Sequence, residues 1–389
     1  MVINAYKIVK PKENININLI VKEITNKIIG NSKKQEQIIK IIETILLNEY
    51  QISEDNIIKQ ITNAVLDNIY GYGIFQKYLD DKITSDIRVV AHNRVYIKQK
   101  GKWIKTNDAF ETVQEFEDYI RFCALKNNYN INYENPIGVF SDRNNSLRIE
   151  AGIEPANVCE PSLVIRIHKK ELPSSLERLK EEFNMIDNNA YGILKNAIKC
   201  GKSIILCGKG GSGKTTLLKA LINEIPEEIA INTNEETAEL YLQNRNVIQR
   251  ECILTRNDGK NIDLEKLSRH ALVMSNDVIV VGELKGKEAN SFFDSISTGH
   301  MGLATIHSDS AFNTIDRIIT LIKKDTKAIH YTEEFLRRFL SNSIDYIVFL
   351  KDFKVVQIAK ILYDIKNNKL HLKSFYNIKV KEVKKECIK

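Results

Sequence analysis

Residues 208–216 read GKGGSGKTT, a complete phosphate-binding loop of Walker A form, from Gly208 through Lys209, Gly210, Gly211, Ser212, Gly213, Lys214 and Thr215 to Thr216. The apolar run Ser203-Ile-Ile-Leu-Cys207 leads in and predicts a short buried strand. Leu217-Leu-Lys-Ala-Leu-Ile222 leads out and predicts a helix. The motif requires this strand–loop–helix context. Glycines at these positions let backbone N–H groups converge on an anion at a helix N-terminus. Lys214 is predicted to supply a cation for β/γ-phosphates and Thr215 a hydroxyl for Mg²⁺. The pattern implies a nucleoside triphosphate as ligand.

A chain of 389 residues is long enough for two or three domains. Its 43% hydrophobic and 28% charged residues are those of a folded, water-soluble protein. Apolar runs reach only about five residues, as at Tyr346–Leu350, far below the ~20 needed to span a bilayer. The start, Met1-Val-Ile-Asn-Ala-Tyr-Lys7, has no apolar stretch of secretory type, so a cytoplasmic location is expected. The six cysteines (Cys123, Cys159, Cys200, Cys207, Cys252, Cys387) form no CxxC pair, which excludes a tetracysteine zinc module. A net charge of +7, from 57 basic and 50 acidic side chains, is too small for a dedicated nucleic-acid binder. Part of it lies in the tail Lys379–Lys389, read as a solvated terminus.

Outward from the loop, the chain divides into three regions. Between Asn18 and Tyr72, apolar residues recur at helical spacing (Ile38, Ile41, Ile42, Ile45; Ile57, Ile58, Ile61, Val65), predicting a helical segment over 1–72. From 73 to 173 the pattern is mixed. Asp86–Val90 and Arg94–Lys98 predict a hairpin, and Thr112 with Glu115 a capping box opening a helix towards Lys126. Leu147–Ile153 and Ser162–His168 predict strands. Together they read as an α+β domain, closed by Leu172-Pro-Ser-Ser175. From 174 to 389 strands and helices alternate in the α/β manner. The strands expected are Ser203–Cys207, Glu228–Asn232, Asn246–Gln249, Asp277–Val281, Leu303–His307 and Tyr346–Leu350, with Val355–Leu362 and Lys369–Lys373 as an edge ribbon. A phosphate loop after the first of these implies a RecA-like sheet with nucleotide at the strand C-termini.

Hydrolysis needs more than a phosphate grip: a group to orient water and others to absorb developing charge. Asp277-Val-Ile-Val-Val-Gly-Glu283 is a buried strand ending in a carboxylate, of Walker B form, which places Glu283 beside metal and attacking water. Glu235, Glu236 and Glu239 follow the second strand and are expected near the same edge. His300 and His307 flank one strand in TGHMGLATIH (298–307). Their spacing does not suggest metal ligation, so both are read as sensing or holding the γ-phosphate at the nucleotide edge.

In this order, Walker A, NEETAEL, DVIVVGELKG and TGHMGLATIH, the motifs resemble the secretion ATPase superfamily of type II and type IV secretion and type IV pilus assembly. The resemblance runs from about Asp67 to Asp364. SDIRVVAHNRVYI (85–97) is similar to the tight-adherence (Flp) pilus and conjugative branch. It implies a hexameric ATPase motor of RecA-like fold, using ATP and Mg²⁺, that acts on an inner-membrane platform protein. Carried over by residue, it implies Lys214, Glu283, Glu236 and His307 as catalytic, with Glu235, Glu239 and His300 at the nucleotide. Arginines at Arg148, Arg166, Arg256 and Arg269 sit where the family places its charge-stabilising arginines. The chain departs from the family pattern at Glu236 (aspartate in the family), at Lys285 (arginine) and at Ser275-Asn276 (Arg-Pro). Lysine keeps the charge but not the bidentate contact. Two other classes stay open at this point: a RecA-like motor on nucleic acid, which lacks an aromatic-basic track here, and a nucleotide-gated regulator with negligible turnover.

Overall fold

The computed structural model describes residues 17–28, 34–99, 101–168, 175–242, 245–253, 261–364 and 369–377. Arg256, residues 172–174 of the expected boundary and the basic tail lie outside the described residues. The chain falls into two compact units, Met1–His168 and Lys169–Lys389.

The first unit opens with α1 (Ile17–Ile28), α2 (Gln35–Asn48) and α3 (Asp55–Ile69). Their apolar stripes close on one another around Ile24, Ile42, Leu46, Ile61 and Val65. After the short α4 (Gln76–Leu79), a sheet is built from β1 (Thr84–Ala91), β2 (Arg94–Gln99) and β3 (Lys102–Lys105). Helix α5 (Val113–Lys126) follows, then β4 (Ile137–Asp142), β5 (Leu147–Gly152) and β6 (Ser162–Ile167). The order is β3-β2-β1-β6-β5-β4. Ile87, Ile165 and Ile149 stand opposite one another across β1, β6 and β5, so they share the face that α5 covers with Phe116, Tyr119 and Ile120. Thr112 caps α5 by accepting from the Glu115 N–H at 3.1 Å. The return bond of the expected box shifts by one residue: the Glu115 carboxylate accepts from the Glu111 N–H at 2.7 Å.

The second unit comprises α6 (Leu176–Glu181), α7 (Asn188–Lys199), β7 (Ile204–Gly208), α8 (Lys214–Asn223), β8 (Ile231–Glu235) and β9 (Val247–Glu251). It continues with α9 (Leu264–Ala271), β10 (Val278–Leu284), α10 (Glu288–Ser297), β11 (Met301–His307), α11 (Ala311–Ile322) and α12 (Glu333–Ser343). The strands β12 (Tyr346–Lys351), β13 (Lys354–Asp364) and β14 (Lys369–Asn377) end it. The sheet order is β14-β13-β12-β7-β11-β10-β8-β9, with β12 through β9 parallel and β13–β14 an antiparallel ribbon. Alternation along β7 sends Ile204 and Leu206 into a core with α6, α7 and α8, and Ile205 and Cys207 into a second core with α10, α11 and α12. This is the period-2 signature of a sheet covered on both faces. The strand expected at Glu228–Asn232 begins later, at Ile231, and carries its buried stretch through Asn232, Thr233 and Asn234.

Candidate active site

Strand β7 delivers the chain to the sheet's C-terminal edge at Gly208, where a side chain is impossible: a Cβ would lie 2.4 Å from the Leu350 carbonyl oxygen. Gly213, the residue before α8, has φ +94°, and a Cβ there would meet Met185 Cε at 2.7 Å and Phe353 Cδ2 at 2.9 Å. Left-handed backbone and close packing therefore both require glycine. Within the loop, Lys214 is buried and its Nζ donates to the carbonyls of Gly208 (3.0 Å) and Lys209 (2.9 Å). Burial lowers its pKa, and the Glu283 carboxylate partly offsets this. The Ser212 hydroxyl is buried with no hydrogen-bond partner among the described residues. A cradle of glycines, a cation and an unpaired hydroxyl at a helix N-terminus fit a phosphate chain. Thr215 and Thr216 open α8 just behind Lys214.

Parallel pairing sets the second half of the site. His307 stands opposite Gly208, and Ile306 opposite Leu284, so the ends of β10 and β11 arrive beside the loop. His307 Nε2 lies 3.0 Å from Glu283 Oε1. Its ring also rests on the loop, since a Cβ on Gly210 would be 3.5 Å from His307 Cε1. Burial pushes the His307 pKa down, Lys214, Lys285 and Arg317 push it further, and Glu283 opposes them. A neutral imidazole in this setting donates Nε2–H to the Glu283 carboxylate. Lys285 pairs with Glu236 and sits 3.8 Å from Glu283 Oε2, so the lysine in the family's arginine position makes a one-pronged link between the two acidic segments. Neither this contact nor the field of Arg317, on the surface of α11, carried a sequence signal of its own.

The three carboxylates of NEETAEL separate in role. Glu235 points inward: its Oε1 accepts from the N–H groups of Glu239 (3.0 Å) and Leu240 (3.2 Å), and its Cγ packs where a Gly282 Cβ would be only 3.0 Å away. It is a buried strut that turns the segment, and burial pushes its carboxyl up to about 8. Glu236 turns outward to Lys285, and the charge of Glu239 reaches Lys214. The folded state thus holds a proton on Glu235 that the unfolded chain releases at an ordinary carboxylate pKa of about 4.3. Stability contributed by that proton falls as pH rises from there through about 8 and is flat above. We expect Glu235→Gln, which keeps the acceptor and cannot ionise, to flatten this slope. Thermal midpoints from about pH 5 to pH 9 check it; parallel curves for the two proteins would refute a buried neutral Glu235.

Other expected site residues lie elsewhere. His300 precedes β11, whereas His307 ends it; seven strand residues at ~3.3 Å each put about 23 Å between them. His300 therefore stands at the sheet's opposite edge, with its Nδ1 3.0 Å from the Ser295 carbonyl, and does not reach the phosphate loop of its own chain. Arg269 lies on α9, 3.5 Å from Glu265. Arg148 and Arg166 belong to the first unit, opposite one another on β5 and β6, and Arg166 Nε donates to Asp86 at 3.0 Å.

The sequence model of the family described as "Type II/IV secretion system protein" matches residues 139–351. Among curated proteins, the chain is 34% identical over 173 residues to the type IV secretion system protein VirB11 of Bartonella quintana, covering 42% of this chain and 48% of that protein. It is 32% identical over 158 residues to the type IV secretion system protein PtlH of Bordetella pertussis, covering 40% and 47%. The chain spans about half the length of the curated relatives it matches. Among solved structures, the pilus retraction motor PilT with bound ADP superposes with a TM-score of 0.52 at 21% identity, over 79% of this chain and 83% of that one. The fold is accordingly the RecA-like α/β sheet of that class, preceded by an N-terminal unit. With 213 of its residues inside the family's span (139 to 351 inclusive), this chain belongs to the type II/IV secretion system protein family.

Proposed function

We propose that this protein is an ATPase motor that works as a homohexamer in the cytoplasm and drives secretion, conjugation or pilus assembly through an inner-membrane platform protein. The observation that supports it most is the convergence of Lys214, Glu283 and His307 on one edge of one sheet. The loop and Lys214 bind the β/γ-phosphates, and Thr215 with Glu283 holds Mg²⁺, which supplies charge neutralisation when bound. Glu283 orients the attacking water and takes its proton, with His307 holding the carboxylate. Glu236 and Glu239 lie beside it, while Glu235 supports the segment that carries them. Among the described residues no helix is long and apolar enough to cross a membrane.

The test is steady-state phosphate release with and without DNA, alongside light scattering with a non-hydrolysed Mg·ATP analogue. Turnover independent of DNA in closed rings supports the proposal; DNA-dependent turnover, or no turnover, overturns it. Arg148 and Arg166 are proposed to stabilise transition-state charge. Arg148→Ala with Arg166→Ala is expected to depress turnover about 10²-fold or more while leaving ring formation and nucleotide affinity in place. Parent-rate hydrolysis by the double variant moves that role to Arg256 or Arg269.

A further inference from the structure

Among the described residues, strand β3 is the outer edge of the first unit's sheet and pairs with β2 alone. All four of its residues, Lys102-Trp103-Ile104-Lys105, are exposed. Trp103, the chain's single tryptophan, is 46% exposed and Ile104 is 45% exposed. Beside the hairpin end, Ile83 is 48% exposed, tied in through its neighbour Asp81, which accepts from Gln99 Nε2 at 2.9 Å. Lys98 stands opposite Trp103 with its ammonium 5.5 Å from the ring centroid. Residues 94–106 hold five basic side chains and no acidic one. Of the two carboxylates beside the end of β2, Asp81 is occupied by Thr84, the Ile83 N–H and Gln99, and Asp86, opposite Lys98 on β1, is paired with Arg166.

Lysines alone would be the ordinary guard of an edge strand against pairing with another chain. Exposed tryptophan and isoleucine run against that purpose, because they advertise the edge. A row of stacking aromatics for nucleic acid is also missing, since Tyr96 is half-buried and Ile83 and Ile104 offer no π-face. Apolar side chains on the two faces of an exposed edge strand, flanked by cations and led by tryptophan, match the charge and polarity profile of an anionic bilayer surface that the strand enters edge-on. We propose that the β2–β3 hairpin is a membrane-contact device: Trp103, Ile104 and Ile83 enter the headgroup region of an anionic bilayer, and Lys98, Lys102 and Lys105 pair with lipid phosphates. The contact is direct and uses none of the residues assigned to nucleotide chemistry.

Because Trp103 is the only tryptophan, tryptophan emission of the full chain, excited selectively over its 15 tyrosines, reports this site alone. Vesicles rich in phosphatidylglycerol should shift its emission to the blue and sediment the protein, with the effect fading as salt rises. Phosphatidylcholine vesicles should do neither. Lys98→Gln, Lys102→Gln and Lys105→Gln together should lower vesicle partition on the order of 100-fold, at about a fivefold loss per charge. Steady-state phosphate release should not change in that triple variant, which reports that the chain is folded. Trp103→Ala should also weaken sedimentation. Partition without a blue shift would place the lipid contact elsewhere and overturn the proposal, as would unchanged partition of the triple variant. A blue shift produced by raising protein concentration alone would assign the hairpin to a second copy of the chain. A shift produced by single-stranded oligonucleotide and not by vesicles would assign it to nucleic acid. Either result also overturns the proposal.

Discussion

Lys214→Ala is expected to weaken ATP binding by about 10²-fold or more, the scale of losing one or two charge-assisted hydrogen bonds of about 1.5–3 kcal/mol each. Its ammonium is the cation buried within the loop, held over it by the carbonyls of Gly208 and Lys209. Alanine removes the charge without touching the glycines that shape the backbone. Binding through the backbone N–H groups alone should survive only weakly. The fold should not suffer in proportion, because burial already penalises the charged lysine, as its lowered pKa records. The variant should therefore melt near the parent in the absence of nucleotide and lose most of the stabilisation that ATP confers on the parent. Calorimetric titration with Mg·ATP, paired with thermal melts, separates the two effects. Parent affinity in a normally folded variant would remove the phosphate-loop assignment altogether.

The half of the site that rests on apolar strands was legible before any coordinates. Ser203–Cys207 and Asp277–Val281 are short continuous apolar runs, and the residue types that follow each one, glycine-rich loop or carboxylate, are set by the chemistry at the strand end. Strand β8 escaped this reading in part. Its buried residues include Asn232, Thr233, Asn234 and Glu235, so hydrophobicity pointed to the apolar residues upstream and placed the strand too early. The same polarity concealed that Glu235 faces the interior: a charged residue after a strand reads as solvent-facing, and only the bonds from Glu239 and Leu240 show otherwise. His300 was misplaced for a different reason. Two histidines in one ten-residue motif are close in sequence, but an extended strand between them carries them to opposite edges. Strand β3 gave no pattern at all, because Lys102–Lys105 is exposed on both faces. The arginines were named on the family resemblance alone; neither Arg148 and Arg166 on their strands nor Arg269 on α9 carries a local pattern that marks a role.

Glu283→Gln is expected to retain Mg·ATP binding within a few-fold and to lose about 10²-fold or more in turnover, the usual contribution of a positioned general base. The substitution is nearly isosteric, and its amide oxygen still accepts from His307 Nε2–H, so the 3.0 Å contact between β10 and β11 persists. What disappears is the negative charge beside Lys214 and Lys285 and the ability to take a proton from water. Losing the carboxylate also removes the one contribution that raises the His307 pKa against burial and three cations, so the ring becomes still harder to protonate. His307 is thereby a weaker substitute base, and little rescue through its imidazole is expected. A second variant carrying His307→Asn on the Glu283→Gln background distinguishes this route. Single-turnover hydrolysis of bound ATP checks the step without interference from product release. If Glu283→Gln alone turned over near the parent rate, the base would have to be Glu236 or Glu239. Glu235 would not qualify, because its carboxyl is buried and committed to the backbone of its own segment.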